Sequence, residues 1–194
     1  MISTFRPALV LFGALTLLCC GIYPAAVTGI AQAAFAAPAN GSLITRQGVP
    51  VGSRLIGQSF SAPQFFWGRP SATSPMPNNA SASSGANQGP TNPALLAAVQ
   101  GRIAALKAVD PDNRAPIPVD LVTTSASGLD PDISVAGAMY QAGRVARVRQ
   151  LALADVLTLV KEHTEPQYFG FFGEARVNVL ALNLALEAKT AHTR

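Results

Sequence analysis

No charged residue stands between Arg6 and Arg46, and within that gap residues 7–30 are almost continuously apolar. Only Thr, Gly, Tyr and Pro interrupt the run. The hydrocarbon core of a bilayer, roughly 30 Å thick, is crossed by about 20 such residues in a helix. The segment therefore predicts a transmembrane helix, long enough to span even with a kink at Pro24. Composition fits this expectation: 12% of the chain is charged and 49% hydrophobic, against about 25% charged in an ordinary soluble domain.

A cleaved signal peptide is the competing reading. It needs a basic start, a shorter apolar stretch and a small-x-small cleavage site. Arg6 and Ala31-Gln32-Ala33 supply the two ends. The apolar stretch is longer than a signal peptide requires, and Tyr23-Pro24 lies at a depth suited to the outer interface. We therefore favour an uncleaved anchor over residues 1–34. Under both readings the amino terminus and Arg6 stay on the cytoplasmic side, and the long remainder is translocated largely regardless of its charge. Cys19 and Cys20 both lie in the span, so the exported part carries neither a disulfide framework nor a thiolate metal site. Leu18 in front of them argues against a lipid-modified cysteine. The net charge is +4; its basic residues are scattered apart from Arg144, Arg147 and Arg149, which read as a solvated helix end. A docking contact with a partner is the sharper reading of those three.

Residues 35–40 form a small-residue connector, and 41–194 suffice for one exported domain with a single core. Short strands are expected over 42–46 and 53–60, with Gly48, Pro50 and Gly52 as turn punctuation. Residues 71–91, rich in Ser, Ala, Asn, Gly and Pro, have the composition of a flexible linker. Asn92-Pro93 predicts a capped helix start, with Leu96, Val99, Ile103 and Leu106 on one buried face and Pro111 as its stop. Residues 117–123 read as a strand. Asp130-Pro131 opens a second expected helix, and Leu153, Val156, Leu157 and Val160 stripe a third that ends near His163. Residues 177–184 fit either period, and we read them as a strand followed by a short C-terminal helix. The fold class is mixed α/β: one N-terminal transmembrane helix, then one compact extracytoplasmic domain.

The motifs of catalysis are missing from the sequence. It holds no D-K-T-G phosphorylation site and no G-x-x-x-x-G-K-[ST] phosphate loop. It holds no G-x-S-x-G elbow either. His163 and His192 are the two histidines, too far apart for a helical zinc pair, and His192 lies in an expected frayed tail. Glu162, His163 and Glu165 cluster where a histidine would complement a helix C-terminus. Asp130 and Asp132 could serve acid–base chemistry, but their place at a helix start explains them without it. Trp67, with Phe65, Phe66 and Arg69, reads as a core anchor or an interface belt, and otherwise as a protein–protein hot spot.

Several strings carry a family resemblance in the right order along the whole chain. FRPALVLF and YPAAVTGIAQAAF open it, followed by ANGSLI, GSRLIGQSF and FFWGRPSAT. SGANQGPTNPALL, PVDLVTTSASGLDPDIS, YQAGRVARVR and GEARVNVLALNLAL complete it. The chain resembles the KdpC family, accessory subunits of the Kdp potassium-transporting P-type ATPase. The resemblance implies three partners: a potassium-conducting channel-like subunit, a P-type catalytic subunit and a small single-span subunit. It also implies a bacterial inner-membrane location, and a role in assembly described as that of a catalytic chaperone raising ATP affinity. No cofactor or metal is expected on the chain itself; ATP is engaged only through the catalytic subunit, because only 1–6 lies on the cytoplasmic side. The resemblance at 71–91 implies an ordered, packed loop in place of the linker that composition suggests. Ala142, Gly143 and Ala175 depart from the family's bulkier residues or proline, which bears on local packing. Candidate subunit contacts, from resemblance and residue type, are Trp67, Arg69, Asn87, Gly89, Asn92 and Pro93. The alternative remains a secreted binding protein or hydrolase with a cleaved signal peptide.

Overall fold

The computed structural model describes residues Ile2–His192. The chain forms two compact units, one reaching Leu43 and the other beginning at Ile44.

The first unit is the apolar helix. Helix α1 covers Ile2–Thr16, a π-helical turn covers Leu17–Ile22, and α2 covers Tyr23–Ala34. The 31 residues Thr4–Ala34 are long and apolar enough to cross a membrane, and no residue of their most apolar 18-residue stretch is buried in protein. Pro24 lacks an N–H, and its ring would strike the carbonyl four residues back. The widened turn just before it absorbs this conflict: the Tyr23 N–H reaches back five residues to the Leu18 carbonyl. The expected kink thus takes the form of a π turn. The connector is itself a turn of helix, α3 over Ala36–Ala39, which Asn40 closes by donating to the Ala36 carbonyl at 2.7 Å.

At the start of the second unit is a hairpin of β1, Leu43–Arg46, whose first residue still belongs to the first unit, and β2, Val49–Ser53. Gln47 and Gly48 both take positive φ, 52° and 78°, as a two-residue hairpin turn requires. Pro50 and Gly52 therefore lie in a strand, and the strand expected at 53–60 is largely turn and irregular chain. Helix α4, Pro93–Val109, begins at the predicted cap: Asn92 Oδ1 accepts from the Ala94 N–H at 2.9 Å. Its expected stripe is only partly buried. Leu106 is in the core, Val99 and Ile103 pack against it, and Leu96 is 60% exposed.

Two expectations fail for one physical reason, the commitment of a carboxylate elsewhere. Residues 117–123 form a 3-10 turn at Val119–Leu121 in place of a strand. Pro116 and Pro118 contribute no N–H donors to a ladder, while Asp120 is turned to accept from the Ser134 N–H at 2.7 Å. Asp130-Pro131 starts no helix: the Asp130 carboxylate pairs with Arg69 at 3.0 Å, and the chain extends into β3, Asp132–Ser134, which pairs with residues 176–178. Helix α5, Val135–Arg149, starts after it with Ser134 as cap, its Oγ accepting from the Gly137 N–H at 2.9 Å.

Helix α6, Leu153–Glu162, falls where predicted and His163 caps it, its Nδ1 2.9 Å from the Leu159 carbonyl. Strands β4, Thr164–Glu165, and β5, Arg176–Asn178, follow. The sheet runs β3-β5-β4, both pairs antiparallel, with Ile133 opposite Val177 and Thr164 opposite Val177 on its other side. The strand expected in 177–184 stops at Asn178. Helix α7 then runs Val179–His192, longer than anticipated, and His192 is its last helical residue. Phe66, Ile133, Val145, Val156, Val160, Val177, Leu182 and Leu186 fill the core between sheet and helices, each 2% exposed or less. Ala142 is also fully buried there.

Residues 71–91 are an ordered loop, as the family resemblance implies and the composition does not. Ser71 Oγ donates to the Gly128 carbonyl at 2.7 Å and accepts from the Asn78 N–H at 2.9 Å. Thr73 Oγ1 accepts from the N–H of the buried Asn79 at 3.0 Å. Glycine is required where the loop meets 125–128. A Cβ on Gly85 would lie 2.7 Å from the Ala126 carbonyl oxygen, and one on Gly128, whose φ is +69°, 2.7 Å from that of Ser84.

Candidate functional site

The aromatic segment 63–67 has no strand beside it, yet its backbone is tied by side chains from two helices. Gln141, on α5, accepts from the Trp67 N–H at 2.8 Å and donates to the Trp67 carbonyl at 3.0 Å. Asn183, on α7, does the same for Phe66, at 2.9 and 3.0 Å. Each carboxamide satisfies one N–H and one C=O of an extended chain, the service a neighbouring strand would provide. Both are buried, 1% and 2% exposed, where an unmet polar group would be costly.

Two of the basic triplet, Arg144 and Arg149, complete the clamp. Arg144 is 2% exposed and donates to the Pro63 carbonyl, to the Phe65 carbonyl at 3.1 Å and to Gln141 Oε1 at 2.8 Å. Its guanidinium lies 5.1 Å from the Trp67 ring centroid. Burial draws its pKa down to about 10, which leaves it charged at neutral pH. Arg149 donates to the Gln64 carbonyl at 2.7 Å and lies over Phe65, at 4.9 Å. Arg147 is exposed and pairs with the buried carboxylate of Asp110. The solvated-helix-end reading thus fails for Arg144 and Arg149, because they meet carbonyls contributed from some 80 residues earlier in the chain.

Trp67 and Arg69 are brought together by this arrangement. Trp67 packs on the core and donates its indole N–H to the Ala62 carbonyl at 3.0 Å, so its core-anchor reading is met. Arg69 pairs with Asp130 at 3.0 Å and donates to the Thr124 carbonyl at 3.2 Å, while its buried Nε has no partner. Its side chain borders three clefts, of about 230, 280 and 540 Å³. The second is walled by Asp120, Asp130, Asp132, Glu174 and Arg176, with Ala175 beside them.

Three of those carboxylates are already engaged: Asp120 accepts from the Ser134 N–H and Asp130 pairs with Arg69. Asp132 pairs with Arg176 at 2.9 Å and accepts from Asn178 at 3.1 Å, while burial still holds its pKa above the ordinary value. Glu165 binds Arg54 and Arg176. Among the described residues no group of His, Cys, Asp or Glu is arranged to hold a metal.

The other four candidates sit apart in chain and role. Asn87, at φ 50°, and Gly89 are exposed, the latter with open space at its Cα. Asn92 and Pro93 are accounted for by the start of α4. Sequence reasoning missed Gln141 and Asn183, and it read Arg144 only as a helix end or a docking contact. The available signal was a carboxamide inside an apolar helical run, as in VLALNLALE.

The family described as "KdpC: K+-transporting ATPase, c chain" matches residues 5–188. A relative from Herminiimonas arsenicoxydans, named Potassium-transporting ATPase KdpC subunit, is 66% identical over 187 residues, covering 96% of this chain and 98% of that protein. A relative of the same name from Janthinobacterium sp. (strain Marseille) is 65% identical over 189 residues, covering 97% and 100%. A third from Methylibium petroleiphilum is 61% identical over 189 residues, covering 97% and 99%.

Proposed function

The chain belongs to the KdpC family, and from that premise we propose that it is a non-catalytic, single-span accessory subunit of an ATP-driven potassium uptake complex. Its partners are a potassium-conducting channel-like subunit, a P-type catalytic subunit and a small single-span subunit. Residues 1–34 anchor it in the bacterial inner membrane, 35–40 connect, and 41–194 form an extracytoplasmic domain. The observation that carries this reading is the pairing of one exposed 31-residue apolar helix with a domain that has a core of its own. Arg6, at the amino-terminal end of the span, favours a cytoplasmic amino terminus.

On this topology only the first few residues share a compartment with ATP. The ATP-affinity effect described in the family is then indirect or purely structural, acting through assembly of the complex. A domain held over the outer mouth of the conducting subunit could also influence ion entry. Partner contacts are proposed at Trp67, Arg69, Asn87, Gly89, Asn92 and Pro93. The tied 63–67 segment supports this by holding Trp67 and Arg69 in fixed positions, and Asn92 with Pro93 shapes the helix start beside Asn87 and Gly89.

The test is chemical labelling of one cysteine. With Cys19 and Cys20 replaced by alanine, Ala108→Cys places a thiol on the solvent face of α4. A membrane-impermeant maleimide should label it in spheroplasts without lysis. Labelling only after lysis would put the domain in the cytoplasm and end this reading.

A further inference from the structure

The chain 166–173 contains no ionisable side chain except that of Tyr168, and four of its residues are aromatic. Tyr168, Phe169, Phe171 and Phe172 are 64%, 88%, 69% and 58% exposed. So much contiguous aromatic surface on a folded domain marks a contact site.

The rings are not on a slack loop. Tyr168 and Phe172 form an antiparallel bridge, with N–H donations of 3.0 Å to the Phe172 carbonyl and 2.9 Å back to Tyr168. The Gly170 and Phe171 N–H groups bond within the turn, and Gln167 Nε2 donates to the Gly173 carbonyl at 2.7 Å. Phe169, Gly170 and Gly173 hold positive φ to close it. At the base, the Arg176 guanidinium lies 5.6 Å from the Tyr168 ring centroid and fixes that ring against β5. Pro166, which enters the hairpin, also lines an apolar cleft of about 520 Å³ with Met139 and Leu157, and Lys161 is at its rim.

We infer that this hairpin is a lipid-contact tip, with its aromatic rings seated in the interfacial layer of the bilayer that the chain's own span anchors. Three features favour lipid over a protein surface. Four of the tip's backbone N–H groups, those of Tyr168, Gly170, Phe171 and Phe172, bond within the hairpin, which lowers the cost of moving it out of bulk water. Its residues, Tyr at the base and Phe at the apex, are the amphipathic and apolar aromatics suited to the membrane interface. The chain is also tethered: only residues 35–42 separate α2 from β1, and a stretch of that length reaches at most roughly 30 Å. A second, weak membrane contact gains from such a leash because it becomes intramolecular. This inference rests on the reading of the apolar helix as a retained span, and not on the identity of the partner subunits.

Phe169→Trp in the full-length chain, reconstituted in phosphatidylcholine vesicles with and without brominated acyl chains, tests it. The wild-type chain, whose only tryptophan is Trp67, is the reference, and Phe171→Trp is the second position. The expected result is a blue-shifted added emission quenched at least twofold more by brominated lipid than that of Trp67. An added emission at the wavelength of water-exposed tryptophan, quenched by iodide and indifferent to bromine, would overturn the inference. So would bromine-indifferent emission that is shielded from iodide only when partner subunits are co-reconstituted, which would mark protein docking. Co-purification of ATPase activity with the same variants separates the two readings. Activity kept with bromine quenching absent defeats the lipid tip alone, whereas quenching present without any co-purifying ATPase defeats the accessory-subunit reading alone.

Discussion

Gln141 holds both polar groups of Trp67, accepting from its N–H at 2.8 Å and donating to its carbonyl at 3.0 Å. Arg144 donates to the same Gln141 Oε1 at 2.8 Å, which fixes which end of the amide is oxygen. The aromatic signature is thereby positioned by helix side chains, and its backbone direction depends on two carboxamides and one guanidinium.

Gln141→Ala should lower stability by about 1–3 kcal/mol, since two part-buried backbone groups of Trp67 lose their partners. Asn183→Ala should cost a similar amount at Phe66. Because the two act on adjacent residues, the double variant should depart from additivity. Chemical denaturation of the four proteins in mild detergent reads this directly. A Gln141→Ala protein as stable as wild type would show that the clamp is incidental.

Arg144→Lys keeps the charge and loses the fork that reaches the Pro63 and Phe65 carbonyls together with Gln141. An ammonium cannot span that set. The expected loss is about 1–3 kcal/mol, accompanied by a shift in Trp67 fluorescence as the stacked cation moves. Unchanged emission would contradict the placement of Arg144 over the ring.

Where local chemistry decides structure, the sequence was readable. The apolar helix, the Asn92-Pro93 start of α4 and the His163 end of α6 all follow from neighbours within a turn. Where a distant partner decides, it was not. Asp130 reads as a helix cap until Arg69, 61 positions away, claims its carboxylate. Arg144 reads as surface until the carbonyls of Pro63 and Phe65 are brought to it. Residues 71–91 have a linker's composition, and side-chain bonds within the loop together with contacts to 125–128, such as Ser83 Oγ to the Ser127 carbonyl at 3.0 Å, order them. The two-residue strand β4 and the three-residue β3 and β5 are too short to display any period.

Asn92 separates a structural role from a partner contact. As an N-cap, Asn92→Ala should cost about 1 kcal/mol while Asn92→Ser restores most of it. If stability is the whole of its role, the serine variant should assemble as wild type. Loss of assembly with stability retained would place Asn92 in an interface.

Asp132 gives a pH signature. Burial raises its folded-state pKa above the unfolded value of about 3.9. The native state therefore binds its proton more readily than the unfolded chain does. The resulting stability is fully present below the unfolded pKa and is lost as pH rises through the folded one. Asp132→Asn removes this dependence, so the variant should gain stability relative to wild type between acidic and neutral pH. Melting temperatures of both proteins across that range check the sign, and a difference that falls with rising pH would refute it.

Assembly itself is the most direct test. Tagged full-length chain, drawn from membranes in mild detergent, should bring potassium-stimulated ATPase activity with it, and deletion of residues 1–34 should abolish that activity in the eluate. An inactive monomer already trimmed at Ala33 would contradict the account and restore the secreted-protein alternative.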